Sequence, residues 1–139
     1  MTQIDFHILP DDQLPQRWLY ACRLIEKVQS MGHKVLIAAD TLDDAHEIDD
    51  LLWSFKPESF IPHQLLGGDE EVPVEITCTH ESGNHQDVLV NLRQDIPDYF
   101  SRFNRVVEIV IQEPKILEST RAHYKFYAQR GYPIVQHKR

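Results

Sequence analysis

Glycine is scarce in this chain, with five in 139 residues. None builds the G-x-G-x-x-G turn or the G-x-x-x-x-G-K-[ST] loop by which strand–helix junctions hold phosphates. The shortage carries weight because backbone amides must approach a phosphate closely, and side chains obstruct them. The junctions instead read Pro10-Asp11-Asp12 and Asp40-Thr41, with carboxylates that repel phosphate. Cysteine is rarer still. Cys22 falls inside an apolar helical pattern, where a small buried thiol is expected, and Cys78 lies far from it in sequence. Cys78-Thr79-His80 with His85 offers three metal-type side chains, where structural zinc takes four at paired spacings, so a solvated loop is expected there. His80-Glu81 lacks the P-C-x-x-C partner of the zinc deaminases. No G-x-S-x-G elbow occurs. The acid pairs Asp43-Asp44, Asp49-Asp50 and Glu70-Glu71 are adjacent in sequence, so those on a helix diverge rather than form a dyad. No catalytic residue, cofactor or metal is therefore expected. No apolar run is long enough to span a bilayer, and the start Met1-Thr2-Gln3-Ile4-Asp5 lacks the features of a signal peptide. A cytoplasmic location with no membrane contact is expected.

Positive charge is also in deficit. The net charge is −8, whereas direct grip on nucleic acid calls for a basic surface. The deficit is uneven: residues 113–139 sum to +4 and residues 1–112 to −12. A basic end on an acidic body suits an acidic partner, although scattered surface cations are the simpler reading of charge alone.

What is present is a regular alternation of strand and helix patterns. Strands are expected at Gln3–Leu9, Lys34–Ala39, Pro73–Thr77, Asp87–Leu92 and Arg105–Ile111. A short extended piece is expected at Ser59–His63, and an edge strand at Pro133–His137. Leu14, Trp18, Ala21, Cys22, Ile25 and Val28 recur at helical spacing after Pro10, with Pro15 opening that helix and Gly32 closing it. Thr41 with Asp44 caps a second helix, on which Ala45, Ile48, Leu51, Leu52 and Phe55 form the apolar face. Asp95 is expected to cap a short helix reaching about Phe103, and Pro114 to open a last helix ending near Gly131. With 42% hydrophobic residues, residues 1–139 are expected to form a single α/β domain. Its form would be a three-layer α/β/α sandwich around a mostly parallel, mixed sheet, Rossmann-like but without a nucleotide-binding loop.

Two segments stand out as binding candidates. From Leu52 to Leu66 the chain concentrates large apolar groups at a helix end, bracketed by Pro57 and Pro62. Trp53, Phe60 and Leu65 either fill the core beneath that loop or, left exposed together, form an interface anchor. On the last helix Arg121 and Lys125 lie one turn apart, with Tyr124 beside them. They are either an ordinary exposed face or a receptor for an acidic peptide end, in which the guanidinium meets a carboxylate.

The runs Lys34-Val35-Leu36-Ile37-Ala38, Leu51-Leu52-Trp53, Pro57-Glu58-Ser59-Phe60-Ile61-Pro62-His63 and Pro73-Val74-Glu75-Ile76 resemble the chi subunits of bacterial DNA polymerase III. So do Arg105-Val106-Val107-Glu108, Arg121-Ala122-His123-Tyr124-Lys125 and Gly131-Tyr132. The likeness keeps the same order over nearly the whole chain, and the block from Trp53 to His63 is its most specific part. The loops at Gly67–Val72 and His80–Gln86 depart from the pattern. The resemblance implies a non-catalytic accessory subunit of the polymerase III holoenzyme. One partner would be the psi subunit, which links it to the clamp loader. Another would be the acidic C-terminal tail of single-stranded DNA-binding protein (SSB), so that DNA is reached only indirectly. A helicase of the XPD/Rad3 type would compete with psi. Carried over by residue, the psi site falls on Trp53, Phe60 and Leu65, and the SSB-tail site on Val110, Arg121, Tyr124 and Lys125. Leu117 stands where the pattern has a further lysine, which weakens the expected grip on the tail. From other classes, the rivals are a small α/β nucleotide-binding enzyme and a direct single-stranded DNA binder using Tyr and Arg on the last helix.

Overall fold

The computed structural model describes residues 1–139. Its strands are β1 (Gln3–Ile8), β2 (Val35–Ala38), β3 (His63–Leu65), β4 (Val74–Thr77), β5 (Val88–Asn91), β6 (Arg105–Val110) and β7 (Ile134–Lys138). Its helices are α1 (Leu14–Ser30), α2 (Leu42–Ser54) and α3 (Pro114–Gln129). The strands form one sheet in the order β3-β4-β2-β5-β6-β1-β7. Every adjacent pair is parallel, so the sheet is not mixed: even the C-terminal edge strand runs parallel to β1. Parallel strands need crossovers that place helices over the faces, and such a sheet must be apolar on both sides. β2, with all four residues buried, shows this directly.

The alternation of side chains sorts the core into two layers. Val35, Ile37, Val107 and Ile109 face α1 and α2 together with Trp18, Ile25, Ile48 and Leu52. Leu36, Ala38, Phe6, Val106 and Val110 face the opposite side, with Tyr127 of α3 and the aromatic group Tyr99, Phe100 and Phe103. The capping signals work as chemistry requires. The Thr41 hydroxyl accepts from the Asp44 amide at 3.1 Å, and Gly32 takes φ +91° after α1, a conformation that side chains resist.

Some boundaries differ from expectation. Asp95 caps no α-helix; only a 3-10 turn forms, at Phe100–Arg102. The Asp95 carboxylate pairs instead with the Arg93 guanidinium at 2.6 and 3.2 Å, and Pro97 biases Ile96 away from helical backbone. The extended piece near Pro62 becomes β3 only from His63 onward. Leu14 is exposed at the start of α1 rather than packed in its apolar face.

Between β6 and α3 lies a sealed polar cluster. Glu108 has no exposed surface. Its Oε2 accepts from the Tyr127 hydroxyl at 2.8 Å and from Asn91 Nδ2 at 2.9 Å. Its Oε1 lies 2.9 Å from His123 Nδ1, and His123 Nε2 lies 2.8 Å from the Gln94 carbonyl. Burial opposes charge on His123, but the Glu108 hydrogen bond and charge, with the Gln94 carbonyl, outweigh it and raise its pKa. On β1, one strand in from the sheet edge, His7 goes the other way. Burial and the nearby His137 and Arg139 lower it to about 4, against the pull of Asp5. His7 Nδ1 sits 2.6 Å from the Tyr20 hydroxyl, and that hydroxyl accepts from Arg139 Nε at 3.0 Å.

These two histidines set opposite pH dependences. His123 is held above its unfolded value, so its contribution is complete below about pH 6.5 and is lost as pH rises through its folded pKa. His7 is held below its unfolded value, so its contribution is complete above about pH 6.5 and is lost as pH falls towards 4. Urea midpoints are expected to fall on both sides of that pH. His123→Gln is expected to flatten the alkaline limb alone, and His7→Asn the acid limb alone.

Candidate functional site

The segment after α2 leaves its aromatic groups outside. Trp53 is 49% exposed and Phe60 71% exposed, with ring centroids 5.7 Å apart. Beneath them Ile61 is sealed in the core, and the buried His63 ring lies 4.2 Å from Trp53. One His63 nitrogen lies 2.6 Å from the Ile61 carbonyl and the other 3.0 Å from the Asp49 carbonyl. His63 thus ties the loop to α2 and gives Trp53 a fixed support. Leu65, on edge strand β3, is half-buried and packs inward against the α1–α2 core layer. The expected trio therefore divides: Trp53 and Phe60 form an open aromatic pair, and Leu65 turns into the core.

The second surface is a groove between α3 and the ends of β1 and β6. It encloses about 280 Å³ and is lined by Phe6, Ile8, Val110, Leu117, Arg121 and Tyr124. The parallel register places Ile8 beside Val110. Tyr124 stands edge-on to Phe6, with centroids 5.2 Å apart, and so walls one side. Arg121 is exposed at the rim and engages no carboxylate. Lys125 is equally unpaired but stands one turn further along α3, outside the groove lining. Leu117 makes the groove more apolar where a cation was expected. A lysine does reach this side by another route. Lys138 of β7 is the register partner of Ile8, and partners in a parallel pair point to the same sheet face. Lys138 thus flanks the groove.

Cys78, His80 and His85 make no joint site. His85 Nε2 instead meets Glu75 at 2.8 Å, and no three ligand-type side chains converge anywhere. Burial pushes the Cys22 thiol up to about 12, which keeps it protonated and unreactive. No helix is long and apolar enough to cross a membrane.

The sequence comparisons bear on what such a molecule is. The model of the DNA polymerase III chi subunit family (HolC) matches residues 1–135. The chain belongs to that family. A chi subunit from Pseudomonas aeruginosa is 38% identical over 138 residues, which is 99% of this chain and 97% of the relative. Chi subunits from Haemophilus influenzae and Escherichia coli are each 32% identical, over 82% and 81% of this chain and 81% and 79% of their own lengths. Membership makes this a replication accessory subunit belonging with DNA polymerase III.

Of the groove residues the sequence reading named Arg121 and Tyr124 on α3 and Val110 on β6, but not Phe6 and Ile8 on β1. Phe6 and Ile8 lie over a hundred residues from Val110, and only the placement of β1 beside β6 unites them. Lys138 was missed for the same reason. The signal present in sequence was the alternation within β1, which puts Phe6 and Ile8 on one face.

The exposure of the aromatic pair has a mechanical consequence. Trp53→Ala and Phe60→Ala are each expected to lower unfolding free energy by no more than about 1 kcal/mol, whereas Ile61→Ala between them costs roughly 2–5 kcal/mol. Urea denaturation of the three variants checks this. A Trp53 loss as large as that of Ile61 would mean that the indole is a core residue.

Proposed function

We propose that this chain is a non-catalytic adaptor with two docking surfaces, in the cytoplasm at the replication fork. The aromatic pair Trp53 and Phe60, with Leu65 on β3, receives the psi subunit and through it the clamp loader. The groove at Val110, Arg121 and Tyr124, with Lys125 one turn beyond it, receives the acidic C-terminal tail of SSB, so contact with DNA is indirect. A helicase of the XPD/Rad3 type would compete with psi for the aromatic surface.

The observation that carries this reading is the state of these side chains. Two aromatic rings stand exposed on a rigid support, while an unpaired guanidinium stands over an apolar groove. Exposed rings that contact one another lose little on joining a partner and gain the burial of both. An acidic peptide ending in a carboxylate can meet Arg121 bidentately while its last side chain enters the groove. The surfaces do not interfere. One lies at the β3 edge, and the other lies over β1 and β6 on the opposite face. β3 and β6 are four strand spacings apart, or roughly 19 Å. One molecule can therefore hold both partners. A single acidic tail on so small a groove binds weakly, and several tails on one DNA strand reinforce it.

Calorimetry with an acidic SSB-tail peptide tests the groove. Arg121→Ala is expected to weaken binding about tenfold or more, with smaller losses for Lys125→Ala and Lys138→Ala and all three proteins folded. Unchanged affinity in the Arg121/Lys125 double variant would remove the assignment. Co-purification with psi tests the aromatic surface. Trp53→Ala is expected to cost on the order of 2 kcal/mol or more of binding, enough to lose the complex on a column, and a complex of full strength would show that psi docks elsewhere.

A further inference from the structure

On the other side of α3 a second cavity, of about 280 Å³, opens where β2, β5 and β6 end and α1, α2 and α3 begin. The carboxyl ends of parallel strands are where open α/β sheets place their ligands. The feature that singles out this cavity is Arg17, which lines it. Arg17 is 4% exposed. Its Nε donates to the Ile109 carbonyl at 2.9 Å. Its two terminal nitrogens have no partner in the protein and are not sealed from solvent, and no carboxylate lies within ion-pair distance. A guanidinium so deeply placed without a counter-charge is unfavourable, and burial lowers its pKa despite the more distant Glu108 and Asp40.

Three of the neighbouring acids already hold hydrogen bonds. Glu108 is taken by His123, Tyr127 and Asn91. Both Asp40 oxygens face the Gln94 amide at 3.2 Å, and Glu113 caps α3 by accepting from the Ile116 amide at 3.0 Å. Of the other cations in the lining, Arg93 is spent on Asp95 and the Ala39 carbonyl, and Lys115 is exposed to solvent. The fork of Arg17 is thus the buried cation of this cavity left without a partner, and what it matches is a planar anion. The walls beside it are apolar, made by Trp18, Ile48, Leu92 and Ile116. The carboxylates of Asp40, Asp44 and Glu113 line the same cavity. They repel a multiply charged phosphate far more than a single carboxylate, and no glycine loop is present to cradle one.

We propose that this cavity binds a small monocarboxylate with an apolar body, its carboxylate held by the terminal nitrogens of Arg17 and its body against Trp18 and Ile116. The site is separate from both docking surfaces and does not depend on their assignment.

Sodium phenylacetate titrated into the uniformly 15N-labelled full chain tests this, read by amide chemical shifts. Saturable shifts centred on Trp18, Gln94 and Ile116 are expected. The neutral methyl ester is expected to bind at least tenfold more weakly, and so is phenylacetate to Arg17→Met. If Arg17→Met does not give a folded spectrum, the ester comparison on the unaltered chain decides. The proposal is overturned if the shifts do not saturate, if acid and ester bind alike, or if inorganic phosphate or ATP moves the same amides at lower concentration than phenylacetate.

Discussion

A carboxylate shut inside the molecule holds its working parts in place. Glu108 projects from β6 towards α3 and is met there by His123 and Tyr127, one helical turn apart, while Asn91 reaches it from β5. A buried charge left without such partners would be strongly unfavourable, so α3 can seat itself on the sheet in only one rotation and one axial register. That rotation sends Arg121, Tyr124 and Lys125 outward. It also sets Leu117 and Tyr124 over Val110 and Phe6, which makes the groove. The geometry of the cationic surface is therefore a consequence of core polar chemistry and not of the surface residues themselves.

The sheet topology supplies the other half of the arrangement. Because every strand is parallel, β1 is threaded back beside β6, and the first strand of the chain ends next to the last helix. The same rule pushes β3 to the far edge, where a short strand follows a proline-bracketed loop. A three-residue edge strand offers little for edge-to-edge aggregation, and it leaves the neighbouring loop free to carry Trp53 and Phe60 outside. His63 makes that exposure sustainable. Its ring supports the indole from below while its nitrogens fix the loop to the end of α2. Rings held this way are ordered before a partner arrives, so less entropy is lost on docking.

Much of this was legible in the sequence. The apolar run Val35–Ala38 announced a strand covered on both faces, and the Thr41–Asp44 pair announced its helix cap. The spacing of Arg121, Tyr124 and Lys125 announced a shared helix surface. What could not be read depended on long-range pairing or local competition. The direction of β7 depends on its pairing with β1 at the other end of the chain, which no local pattern states. Asp95 carries a good capping side chain, but Arg93 two residues earlier captured it. Exposure of Trp53 could not be separated from burial, because Ile61, between Phe60 and His63, is the residue that fills the core. The Glu108 cluster left no sequence signature at all, since an acid in the middle of a strand looks like an ordinary outward position until a helix covers it.

The charge distribution acquires a structural meaning once the fold is known. The basic residues of the C-terminal segment are divided between α3 and β7, which lie beside one another only because β7 pairs with β1. Arg121 and Lys138, seventeen residues apart, consequently flank a single groove, while the acids of the body are spread over the rest of the chain, with clusters on α2 and in the loop after β3. An acidic peptide of the kind proposed would be repelled from most of this surface and attracted to one side, which favours encounter at the groove before any contact forms. Leu117 fits the same logic. Replacing a cation on the helix with an apolar side chain lowers the charge of the groove but deepens its floor, and Lys138 restores a positive edge from the strand side. Under the proposed tail docking, selectivity would rest on a carboxylate together with an apolar terminal group, and not on acidity alone.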